Sequence, residues 1–181
     1  MSGTTAPAHR SVLPDEDATR ALGRALAALL RAGDLVVLTG GLGAGKTTLT
    51  QGIGAGLHVR GPVLSPTFTI ARVQPPLPRE DGSTGPALVH VDAYRLGSLE
   101  EVDALDLEAG LDESVTVVEW GAGWVEPLAS DRLEVELVRP RGAESGPLDP
   151  QDAAAGARVA LVRGVGERWA GVVLPGEPVA G

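Results

Sequence analysis

The chain has 181 residues, a formal net charge of −9 and a pI near 4.8, with 43% hydrophobic and 22% charged residues. That is enough for one packed α/β domain and little more. It holds no cysteine, which excludes disulfides, thiolate-bound metal centres and a cysteine nucleophile, and its acidity argues against unaided nucleic-acid binding through a basic face.

Residues 1–13 are rich in Ser, Thr and Ala and are expected to form a flexible segment. They contain no apolar signal core, and no run of about 18 apolar residues occurs anywhere, so a cytoplasmic chain without a membrane span is expected. From Asp15 to Ala32, Ala18, Leu22, Ala25, Leu26, Leu29 and Leu30 recur at helical spacing. Pro14 precedes this run, acids fill its first turn and Gly33 follows it, as at the ends of an amphipathic helix. Leu35–Leu38 is a short apolar run suited to a buried parallel strand. A Gly-rich turn leads into a predicted helix over Lys46–Leu57. Gly52, Gly54 and Gly56 make that helix intrinsically poor and point to close packing on a sheet.

Thr67–Val73 reads as a strand after the Ser65-Pro66 turn, and Gln74–Pro86, with four prolines and two glycines, as a surface loop. Ala87–Val91 is another apolar strand, ending at Asp92. Ser98 and Glu101 form a capping-box pattern that opens an acidic helix. Val115–Val118 is a further buried strand, ending at Glu119-Trp120. Leu133, Val135 and Leu137 alternate with charged residues, as in a strand with one wet face. Pro140–Gly156 reads as a polar loop, Ala157–Val162 as a strand and residues 175–181 as a frayed tail, leaving one domain over 14–174.

Gly40-Gly41-Leu42-Gly43-Ala44-Gly45-Lys46-Thr47 matches G-x-x-x-x-G-K-[ST] between a buried strand and a helix, the context its mechanism requires. Backbone N–H groups around Gly41, Gly43, Ala44 and Gly45, continuing to Thr48, would cradle phosphates at a helix N-terminus. Lys46 would reach the β- and γ-phosphates of ATP, and the Thr47 hydroxyl would bind Mg²⁺. Lys46 is the one lysine among 15 basic residues; a compact ammonium fits this loop and a planar guanidinium does not. The predicted fold is therefore α/β: a P-loop NTPase-like open, mainly parallel sheet flanked by helices, with antiparallel strands toward the C-terminus.

Such a site needs an acid near Mg²⁺ at the carboxyl end of a neighbouring strand. Asp92 and Glu119 both qualify, Asp92 near the metal and Glu119 near the metal or the attacking water; the bland alternative for each is an acid capping a turn. His90, inside the Asp92 strand, reads as a core histidine before it reads as a catalyst. Tyr94 and Arg95 either meet the γ-phosphate or pack the loop. Trp120 either stacks on a ligand or fills the core. Trp124 and Trp169 read as structural. Thr67 in Ser65-Pro66-Thr67-Phe68 is either a γ-phosphate sensor or part of a simple turn. The seven acids between Glu100 and Glu113 form either a solvated helix face or a docking surface for a basic partner. The chain avoids residue types with AT-rich codons: it has no asparagine, one Phe, one Tyr and two Ile. The exceptions beyond Met1 (Lys46, Ile53, Phe68, Ile70 and Tyr94) all fall between positions 46 and 94, the stretch where the chemistry is expected.

Taken in order, Leu42–Thr48, Ser65–Phe68, His90–Arg95 and Val118–Trp120 resemble the TsaE (YjeE) family of bacterial P-loop ATPases, over about Asp15 to Leu137. The resemblance implies a small ATPase needed for threonylcarbamoyladenosine at position 37 of tRNA. It would act on the transferase TsaD and its companion TsaB, meet tRNA only through them, and transfer no group itself. By position, Lys46 and Thr47 match the family's phosphate and Mg²⁺ residues, Asp92 its Walker-B-like acid, Thr67 its switch threonine, and Glu119 and Trp120 its Glu-Trp pair. The sequence departs mildly: Ala93 replaces a larger aliphatic residue, Gly121 follows Trp120 where proline is usual, and the loops 74–86 and 140–156 are longer. The alternative is a small P-loop kinase, for which the Arg-bearing lid is thin: only Arg79 stands in Gln74–Pro86. A Ras-type guanine switch is excluded, since Asn-Lys-x-Asp needs an asparagine and the chain has none.

Overall fold

The computed structural model describes residues 7–64, 71–93, 112–119, 129–139 and 156–179. Its strands are β1 (His9–Leu13), β2 (Leu35–Gly40), β3 (Ala71–Gln74), β4 (Ala87–Asp92), β5 (Ser114–Glu119), β6 (Arg132–Val138), β7 (Arg158–Val165) and β8 (Glu177–Pro178). They form one sheet in the order β3-β4-β5-β2-β6-β7-β1-β8. The middle four, β4-β5-β2-β6, are parallel, and every pairing outside them is antiparallel. This is the expected mixed α/β architecture.

Two α-helices lie among the described residues, α1 (Glu16–Ala27) and α2 (Lys46–Leu57). Leu22 and Leu26 of α1 and Leu49 and Ile53 of α2 share one core with Val36, Leu38, Leu88, Val115, Val117, Leu133 and Val135 of the sheet. Side chains alternate across a strand, so both helices cover the same sheet face. A smaller cluster, Leu35, Val37, Val89, Val91 and Val118, marks the opposite face. That β2, β4 and β5 bury residues on both faces explains their largely hydrophobic sequences, with His90 and Thr116 the polar exceptions inside β4 and β5. No helix among the described residues is long and apolar enough to cross a membrane.

Asp15 caps α1 by accepting the Ala18 N–H at 2.8 Å, and Glu16 and Asp17 fill the first turn, favourable at the positive end of the helix dipole. The helix ends at Ala27, short of the expected Ala32. A turn in which the N–H groups of Leu29 and Leu30 return to Leu26 O terminates it. Gly33, at φ +93°, then redirects the chain. Asp34, 5% exposed, takes a two-pronged ion pair from Arg168 at 3.0 and 2.9 Å and accepts the Arg31 N–H at 2.9 Å. The Arg168 guanidinium also stacks 4.3 Å over the Trp169 ring, and Trp169 is buried in the core as expected.

Three expectations need correction. The segment 1–13 is not wholly flexible: β1 pairs along its length with β7, His9 opposite Val162 and Leu13 opposite Arg158. The tail is not wholly frayed: Glu177 and Pro178 pair with Arg10 and His9. In both places long-range backbone hydrogen bonds order residues whose composition reads as loop. The α2 glycines mostly serve the other helix and not the sheet. A Cβ on Gly52 would lie 2.3 Å from Arg20 O, and one on Gly56 would lie 2.5 Å from Ala27 Cβ. Gly54 alone faces the sheet side, toward Val63 and Leu88. Gly23 of α1 meets Leu49 O and Gly52 Cα from across the crossing, so bare backbones set the helix separation.

Candidate functional site

The helix-covered face of the sheet runs out at the carboxyl ends of β2, β4 and β5. Register places Asp92 beside Glu119, and Glu119 beside Leu38, two residues before the end of β2. The parallel strands thus bring both acids to the edge from which the glycine loop departs. His90 shares their face, because it stands two residues before Asp92.

The loop is bent by glycines at Gly40 (φ +147°), Gly43 (φ +72°) and Gly45 (φ +101°), conformations that L side chains avoid. At Gly40 a Cβ would also sit 2.6 Å from Leu137 O of the neighbouring strand. Gly45 is the N-cap of α2, which opens at Lys46 with no side-chain cap, leaving its first N–H groups for another partner. Gly41 and Gly43 are exposed and Ala44 is buried. Thr48 is half-buried in the first turn of α2.

Lys46 is 6% exposed, and its Nζ donates to Gly40 O at 2.9 Å and Gly41 O at 3.0 Å. Burial pulls its pKa below the ordinary lysine value, and the carboxylates of Glu119 and Asp92 partly restore it. Thr47 Oγ1 donates to Glu119 Oε1 at 3.3 Å. His90 Nε2 lies 2.8 Å from the same oxygen, and both side chains are buried. A carboxylate only accepts, so Nε2 is the donor of this contact; Nδ1 is buried and has no partner among the described residues. His90 is therefore more than core filling: it fixes one oxygen of Glu119.

Among the described residues no three His, Asp or Glu side chains gather into an all-protein metal cage. Mg²⁺ needs none, since it usually keeps waters and takes one or two carboxylates together with phosphate oxygens. A hydroxyl and two carboxylates converging on one loop suit such an ion. The glycine loop, held so close to Leu137 O and Ala44 Cβ that Gly40 has no room for a Cβ, suits a phosphate chain.

Lys46, Thr47, Asp92 and Glu119 are thus brought together. Thr67, Trp120, Tyr94, Arg95 and Trp124 lie outside the described residues, as does the acidic run from Glu100 through 111. Sequence reasoning missed Arg158. It opens β7, is 2% exposed, and donates to Ala44 O at 2.9 Å, Gly43 O at 3.3 Å and Gly156 O at 2.6 Å. No local motif distinguishes it from the other arginines of an arginine-rich chain.

Residues 13–145 match the family described as Threonylcarbamoyl adenosine biosynthesis protein TsaE. The chain is 57% identical to the tRNA threonylcarbamoyladenosine biosynthesis protein TsaE of Streptomyces coelicolor, over 83% of this chain and 93% of that one. It is 51% identical to the protein of the same description from Mycobacterium leprae, over 68% of this chain and 78% of that one. Among solved structures it resembles YdiB of Bacillus subtilis, with a TM-score of 0.62 and 28% identity over 94% of this chain and 92% of that one.

Proposed function

The chain belongs to the TsaE family of tRNA threonylcarbamoyladenosine biosynthesis, and from that premise we propose that it binds and hydrolyses Mg²⁺–ATP at the glycine loop to serve the TsaB–TsaD transferase complex. One observation carries the nucleotide reading. Lys46, Thr47, Asp92 and Glu119 meet at the carboxyl edge of a parallel sheet, where a glycine loop opens a helix.

Each group has a definable task. Lys46 gives up its bonds to Gly40 and Gly41 and donates to the β- and γ-phosphates. Thr47 releases Glu119 and turns its hydroxyl to the ion. Thr47, Asp92 and Glu119 would hold a Mg²⁺ ion, which would supply charge neutralisation for the phosphates. Glu119, steadied by His90, also stands ready to orient the attacking water. Gly41, Gly43, Ala44, Gly45 and Thr48 supply backbone, and Thr67 and Trp120 are assigned to the same nucleotide by their match to the family pattern. Until a ligand takes their place, these mutual hydrogen bonds keep the buried polar groups of the site satisfied.

Hydrolysis by the protein alone is slow on this reading. Arg158 spends its donors on loop carbonyls, so among the described residues it is not an arginine finger. The chain's acidity directs it to tRNA through its partners, in the cytoplasm. The test is ATP hydrolysis by the purified protein, alone and with the cognate TsaB–TsaD pair. Marked stimulation by the pair is expected. Clear ATP binding with no stimulation, together with turnover on a small acceptor, would transfer the site to the kinase reading.

A further inference from the structure

The glycine loop has a second support besides Lys46. Arg158 opens β7, separated from β2 by β6 in the sheet order and on the antiparallel half of the sheet, yet its guanidinium reaches the loop that follows β2. It is 2% exposed. Nε and one terminal nitrogen donate to Ala44 O and Gly43 O, and the other terminal nitrogen donates to Gly156 O, at the residue that leads into β7. The planar fork suits adjacent carbonyls in a way that a lysine ammonium does not. Burial is the main influence on Arg158, lowering its pKa; Arg139 lowers it further and Glu16 opposes both.

The consequence follows from peptide geometry. In a planar trans peptide the C=O and the next N–H point in opposite directions. Holding Ala44 O at 2.9 Å therefore turns the N–H of Gly45 to the other side of the loop, away from β7. The Gly43–Ala44 peptide is held the same way, and its N–H closes a turn onto Gly41 O at 3.1 Å. A cation on the carbonyl also polarises the peptide and makes its N–H a stronger donor. Gly45 is suited to this contact: its φ is +101°, and a Cβ there would lie 3.2 Å from Arg158 Nε.

We propose that Arg158 is a positioning residue for phosphate recognition, orienting the Ala44–Gly45 peptide so that its N–H is presented to the nucleotide. The inference rests on the nucleotide reading above and deepens it. Arg158 acts through the loop and touches no phosphate itself.

The test compares the wild type with Arg158→Gln and Arg158→Lys in two measurements: ADP affinity by calorimetric titration, and ligand-free thermal melting. For Arg158→Gln the expected result is at least a tenfold weaker Kd for ADP. For Arg158→Lys it is a loss of about threefold to tenfold, since an ammonium reaches fewer carbonyls. In steady state KM for ATP should rise more than kcat falls, because the oriented N–H meets ground-state and transition-state phosphates alike. A purely structural arginine would lower the melting temperature and leave Kd unchanged in the folded variants; that outcome overturns the proposal. Should Arg158→Gln fail to fold, Arg158→Lys carries the test, and wild-type affinity in it overturns the proposal equally. Wild-type protein that binds no ADP overturns the nucleotide reading and this proposal with it. Tight wild-type binding matched by both variants removes only the role of Arg158.

Discussion

Replacing Gly52 with alanine sets two opposed effects against each other. Alanine is a better helix former than glycine by about 1 kcal/mol in a helix interior. Local propensity alone therefore predicts that Gly52→Ala stabilises α2. The added methyl, however, would sit 2.3 Å from Arg20 O and 2.9 Å from Arg20 C and Cα. These are backbone atoms, so no rotamer change relieves the overlap. The helices must separate by roughly 1 Å, and overpacking of this kind costs about 1–3 kcal/mol. The cost lies at the top of that range here, because Gly23 faces the same crossing and Leu22, Leu26, Leu49 and Ile53 would all lose contact with it. The net expectation is a loss of about 2 kcal/mol, or a fall in Tm of about 4–8 °C for a chain of this size. Thermal melting followed by circular dichroism reads this directly. A Tm equal to or above the wild type would refute the claim that backbone contact between the helices outweighs helix propensity. Because α2 opens at Lys46, the variant should also bind nucleotide more weakly at temperatures where it remains folded.

Lys46→Arg should abolish productive ATP use almost as fully as Lys46→Ala, because the larger planar group cannot enter the loop; ATP turnover measures it, and wild-type rates in the arginine variant would contradict the cradle geometry. The lowered pKa of Lys46 fixes a direction with pH. Its ammonium is charged below that value, so nucleotide affinity should begin to fall, as pH rises, before the ordinary lysine value of 10.5 is reached. Between the two values the unfolded chain holds more protons than the folded one, so this group's contribution to ligand-free stability rises with pH over the same window. Asp34→Ala should destabilise by about 3–5 kcal/mol, since it leaves the Arg168 charge largely buried without its carboxylate; urea unfolding reports this.

The parts of the site that the sequence made legible are those whose chemistry is local. The loop from Gly40 to Thr47 announces itself because tight turns require glycine and phosphates require backbone N–H groups and a lysine. Asp92 and Glu119 were readable because each ends an apolar run, and parallel register then aligned them. The α2 boundaries were readable for a similar reason: Gly45 and His58 bracket a continuous helix. What escaped depends on contacts between distant segments. In β1 only Leu13 is buried, so no period-two apolar signal marks the strand. Its order comes from pairing with β7, about 150 positions away in sequence. His90 reads from sequence chiefly as a core residue, because its partner Glu119 stands on another strand. Arg158 carries no sequence signal, since its partners in the glycine loop, Gly43 O and Ala44 O, lie more than 110 positions earlier.

On the proposed reading, this loop and these two acids bind a nucleotide together with its metal. Calorimetric titration of ATP into the wild type and Asp92→Asn, each with and without Mg²⁺, tests it most directly. Mg²⁺ is expected to strengthen ATP binding in the wild type, and Asp92→Asn to lose most of that gain while keeping its metal-free affinity. Equal losses with and without Mg²⁺, or no ATP binding by the wild type, would contradict it.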